Sequence, residues 1–128
     1  MSDFHWQDFL VLAKHLDGDT VVEPHPDARS RTVVSRAYYA AYHAVRTAAV
    51  AQGFVPPRLD AHIALVQYCH DQRRREWSNV AEKLRRLRDD RNAADYDLRT
   101  QQWAIVQNRS LDTATLICDL AEKLRMKE

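Results

Sequence analysis

Two short stretches carry the side chains able to do chemistry: Ser35-Arg-Ala-Tyr-Tyr-Ala-Ala-Tyr-His43 and Arg91-Asn-Ala-Ala-Asp-Tyr96. On a helix of 3.6 residues per turn, Ser35, Arg36, Tyr39, Tyr42, His43 and Arg46 fall within one arc of roughly 120°. That arc combines guanidinium groups, which suit phosphate, with an imidazole that exchanges protons near neutrality and phenols that donate or accept hydrogen bonds. The opposite arc collects Val33, Ala37, Ala40, Ala41, Ala44 and Ala48, small enough to let another helix approach closely. A face made only for solubility would be rich in Glu and Lys, and this one has neither.

The elements that must hold these residues are helices. The chain has 128 residues with 2 glycines, 4 prolines and 45% apolar residues, which describes one helical domain over 1–128 with few loops. Apolar stripes predict helices over about 3–16 (Trp6, Phe9, Leu10, Ala13, Leu16), about 27–52, about 60–73, from near Trp77-Ser78 to about Ala94, and from about Thr100 onward. Pro26 suits a first turn, Gly53 a C-terminal cap, and Asp60 and Thr100 N-caps. Pro56-Pro57 forces a break. Strand signals are almost absent. The expected fold is an all-α up-and-down bundle of four long helices plus one short one.

Several function classes are excluded or disfavoured by composition. The 19 basic and 18 acidic residues nearly cancel, so any nucleic-acid role must come from local charge. No apolar run approaches the ~18 residues of a membrane span. Cys69 and Cys118 are isolated and in apolar settings, which reads as packing residues in a reducing cytoplasm. The histidines show no metal-ligand spacing, so neither a metal nor a cofactor is expected.

Each chemical candidate has a plain and a sharp reading. The stripe Val80, Leu84, Leu87, Arg91, Ala94 places an arginine where the pattern reserves a buried residue. Its charge cannot be shed, so it needs a carboxylate such as Asp95, or it faces a cleft and holds a phosphate. His43 is either a core histidine satisfied by a neighbour or a general acid–base. Between Arg73 and Arg91, eight basic residues, among them Arg88, stand against four acidic ones. That run is either a solvated face or a contact for RNA phosphates.

Together the two stretches resemble the HEPN superfamily of small helical proteins. The similarity lies in a Ser-Arg-x-Tyr-Tyr-Ala-x-x-His signature (Ser35, Arg36, Tyr38, Tyr39, Ala40, His43) and an Arg-x-x-Ala-Asp-Tyr signature (Arg91, Ala94, Asp95, Tyr96). The resemblance implies a homodimer and, in active relatives, metal-independent endoribonuclease chemistry at a shared cleft. There an Arg holds the scissile phosphate and a nearby His assists the ribose 2′-hydroxyl. It also implies a toxin paired with a nucleotidyltransferase-type antitoxin, or a part in phage defence. This chain places Tyr96 where a His would close the motif. Either His43 supplies the imidazole, or RNA cleavage has been lost.

Three expectations follow from residues and resemblance together. In the first, Arg91, Tyr96 and His43 form the catalytic set of a ribonuclease. In the second, Arg36, Tyr39, Arg46, Arg88 and Asp95 bind RNA or a nucleotide without cutting it, beside a nucleotidyltransferase partner for which Tyr96 is a candidate modification site. In the third, the protein is a helical adaptor whose Arg91–Asp95 pair is structural.

Overall fold

The computed structural model describes residues 10, 11, 13, 14, 26–96 and 102–126. Four helices have both ends among the described residues: α1 (Pro26–Ala51), α2 (Ala61–Asp71), α3 (Arg75–Tyr96) and α4 (Trp103–Met126). The described residues include no strand, and the molecule is an all-α bundle. The helix expected over about 3–16 and the Thr100 cap lie outside the described residues, except that Leu10, Val11, Ala13 and Lys14 are helical.

The helix α1 begins at Pro26, where a missing N–H is of no consequence. It ends in a Schellman arrangement: Gly53 takes φ 110°, its N–H donates to the Val50 carbonyl at 3.1 Å, and the Phe54 N–H donates to the Ala49 carbonyl at 2.9 Å. Asp60 differs from expectation. It precedes α2 with φ 54° and makes no side-chain capping bond, because in the left-handed conformation only its carbonyl engages the helix, accepting from the Ala64 N–H at 3.0 Å. Arg73, also at φ 54°, turns the chain between α2 and α3. As a result α3 starts two residues earlier than its apolar stripe does. It also runs on through Tyr96, which puts Asp95 one helical turn beyond Arg91.

Helices α1, α3 and α4 contact one another in pairs, and α2 packs against α3 and α1. The small face of α1 is the reason α1 and α4 form the most extensive pair. Val33, Ala37, Ala40, Ala41, Ala44 and Ala48 are all buried in the core. They meet a neighbourhood that includes Trp77, Leu84, Leu87, Ile117 and Leu124. Cys69 and Cys118 are buried as packing residues, and burial pushes both thiols up to about 12. A second cluster, Val34, Ala94, Trp103 and Val106, joins the start of α1 to the end of α3 and the start of α4. The two clusters hold the chemical face of α1 against α3.

Candidate functional site

The sequence requires Arg91 to find partners, and α1 supplies them. One guanidinium nitrogen donates to the Tyr39 hydroxyl at 2.7 Å, and another donates to the side-chain oxygen of Asn92 at 3.1 Å. The Nε lies 3.0 Å from Asp95 Oδ2, an ionic contact whose N–H does not point at the oxygen. The guanidinium carbon also stands 5.3 Å from the centre of the Tyr39 ring and 5.6 Å from that of Tyr38, within cation–π range. About a fifth of the Arg91 side chain remains exposed. Burial alone would lower its pKa, but the Tyr39 hydroxyl and the Asp95 carboxylate raise it, so the charge is secure.

Arg91 stands behind an open groove of about 450 Å³ rather than lining it. Its two partners, Tyr39 and Asp95, form part of the wall, with Arg31, Thr32, Ser35 and Arg36. Arg31 belongs to the same helical stripe one turn before Ser35. It donates to the Ala94 carbonyl at 3.3 Å and lies 4.5 Å from the Trp103 ring centre. A cation there compensates the carbonyl end of α3. The groove therefore combines two guanidinium groups, two hydroxyls, a phenol and a carboxylate, a set suited to a phosphorylated, hydroxyl-bearing ligand.

The expected site residues divide into two groups. Arg36, Tyr39, Arg91 and Asp95 come together at this groove. His43 and Arg46 lie farther along α1. The His43 ring sits edge-on to Tyr42 at 5.1 Å, and its pKa is lowered by burial and then by Arg46. Tyr96 is at the last turn of α3 and largely exposed. Arg88 acts from the other side of Arg91, where its charge reaches Tyr38 and His62.

Sequence reasoning missed His62, and it named Tyr38 only as a member of the signature. Tyr38 is buried, with its hydroxyl 2.6 Å from His62 Nδ1. Burial and then the neighbouring Tyr42 raise the phenol well above its ordinary value. Burial, then Arg88 and Arg91, lower His62 to about 4. With the phenol protonated and the imidazole neutral, one hydrogen bond joins Oη to Nδ1, its direction set by the tautomer, and leaves Nε2 as the other ring nitrogen. That nitrogen is buried with no hydrogen-bond partner. The Tyr42 ring stacks near His62, 6.1 Å between centres. The stripe of α1 extended one turn back would have included Arg31, but no spacing in the sequence links His62 to α1.

Among the described residues, no three metal-ligating side chains gather. No described helix is long and apolar enough to cross a membrane. No curated protein and no solved structure matches the chain. The family model for the HEPN domain matches residues 26–126, a span that takes in all of α1 to α4 and both signature segments. The chain belongs to the HEPN family.

Proposed function

We propose that this HEPN protein engages RNA phosphates in the groove between α1 and the end of α3, as the RNA-targeting, toxin-type component of a toxin–antitoxin or phage-defence module working as a homodimer. The observation that carries this reading is the groove itself: Arg31 and Arg36 share it with Tyr39 and Asp95, both held in place by Arg91. Guanidinium groups at an open surface bind phosphate oxygens through charge-assisted hydrogen bonds, and Ser35, Thr32 and Asp95 offer partners to ribose hydroxyls. A nucleotidyltransferase-type partner fits the same reading.

Cleavage is the second reading, favoured by the fifth of the Arg91 side chain that remains exposed. In that chemistry a ribose 2′-hydroxyl attacks the adjacent phosphorus, a 2′,3′-cyclic phosphate forms and the 5′-oxygen leaves with a proton. Arg91 would stabilise the phosphorane charge, Tyr96 would orient the phosphate, and His43 or Arg36 would aid proton transfer or charge stabilisation. The groove lining favours binding over cleavage, since no described imidazole forms part of it.

Wild-type protein and Arg36→Ala and Arg91→Ala variants incubated with tRNA and total RNA in EDTA, then run on denaturing gels and in binding assays, separate these readings. Salt-sensitive binding lost in Arg36→Ala, with RNA intact, is the expected result. Discrete fragments from the wild type alone would establish cleavage. RNA neither bound nor cut, with the fold intact, would defeat both.

A further inference from the structure

The His62–Tyr38 pair is a polar contact that the proposed binding step does not use directly. It joins α2 to α1 through Tyr38 Oη and His62 Nδ1, 2.6 Å apart, at a place where the fold otherwise packs rings. A phenylalanine at 62 would fill similar volume without burying an unmatched ring nitrogen. What the imidazole supplies at this contact and a phenyl cannot is a hydrogen-bonding partner for the Tyr38 hydroxyl.

Tyr38 in turn touches the machinery behind the groove. Its ring meets Tyr39 edge-on at 5.4 Å and lies 5.6 Å from the Arg91 guanidinium carbon. Arg91 holds Tyr39 by the 2.7 Å bond and Asp95 by the 3.0 Å ion pair, and both of these line the groove. The path from His62 to the groove wall is thus continuous: His62, Tyr38, Arg91, then Tyr39 and Asp95.

We propose that His62 is a positioning residue for this groove: by its hydrogen bond to the Tyr38 hydroxyl it fixes the two-tyrosine cradle in which Arg91 aims Tyr39 and Asp95 at the ligand. This rests on the reading of the groove as an RNA-phosphate site. Placement from a separate helix is what the role needs, since a rotamer fixed from two sides loses less freedom on binding.

The test uses the full chain and its His62→Phe, His62→Gln, Tyr38→Phe and His62→Phe/Tyr38→Phe variants. Each is titrated with a fluorescent single-stranded oligoribonucleotide, its Arg91 Nε–H signal is followed by nitrogen NMR, and its melting temperature is recorded. His62→Phe and Tyr38→Phe should each broaden or shift the Arg91 signal and weaken binding about fivefold, with the double variant no worse than either single one. His62→Gln, which keeps a hydrogen-bonding group, should recover most of the affinity. An Arg91 signal unchanged by His62→Phe, or losses that simply multiply in the double variant, would overturn the proposal. If His62→Phe does not fold, Tyr38→Phe carries the same comparison, because it removes only the hydroxyl. A wild type that binds no oligoribonucleotide, yet whose Arg91 signal still depends on His62, would overturn the RNA reading and leave the positioning role standing.

Discussion

Arg91 and Tyr39, 52 residues apart in sequence, are joined by a 2.7 Å hydrogen bond across the α1–α3 contact. The pair converts an arginine on an apolar stripe from a liability into a tie between two helices, because a permanently charged group inside a fold must be matched. It also sets the antiparallel register of those helices, with Arg31 meeting Ala94 at the far end.

Tyr39→Phe tests the energetic weight of that tie. The variant keeps the ring under the guanidinium but leaves a partly buried charged donor without its acceptor. We expect a loss of about 1–2 kcal/mol in unfolding free energy, read from urea midpoints at unchanged m-value. A midpoint equal to the wild type's would mean that water replaces the phenol and that the bond contributes nothing net.

Stability should fall as the pH drops from about 6.5 towards 4. The folded-state pKa of His62 is lowered to about 4, while the unfolded chain titrates near 6.5. Between those values the unfolded state binds a proton that the folded state refuses, so acid favours unfolding, and the effect levels off below the folded pKa. His43, also lowered, contributes with the same sign. Unfolding midpoints at pH 7.5, 6 and 5 should decline in the wild type and decline less in His62→Phe. Parallel declines in the two proteins would show that His62 titrates normally.

Ala44→Leu probes the small face of α1. Ala44 is buried in the core with α1 closely approached by its neighbours, so extra methyl groups have no room. The expected cost is about 1–3 kcal/mol, against no more than about 0.5 kcal/mol for a change at exposed Thr47. Were this face a contact between copies of the chain, Ala44→Leu would instead change the oligomeric state in sedimentation, with the melting temperature of the monomer unaffected.

Much of the bundle was readable from periodicity because a 3.6-residue repeat is a local property. Ala37, Ala41, Ala44 and Ala48 pointed to a buried face, and they are buried. Val80, Leu84, Leu87 and Ala94 marked the buried stripe of α3 and singled out Arg91 as the misfit. The Gly53 cap was equally legible, since few other residues adopt its φ. Asp60 takes the N-cap position its residue type suits, but its left-handed backbone engages the helix through the carbonyl and not the side chain.

The sequence by itself determined the all-α class, the small and polar faces of α1, and the need of Arg91 for a partner. Those follow from residue type and spacing along one helix. Only the tertiary structure decided that the partner is Tyr39, that Tyr38 turns to His62, and that Arg31 joins Arg36 at one groove that His43 does not line. Such pairings depend on the rotation and register of whole helices, which packing over the entire core selects and no single segment encodes.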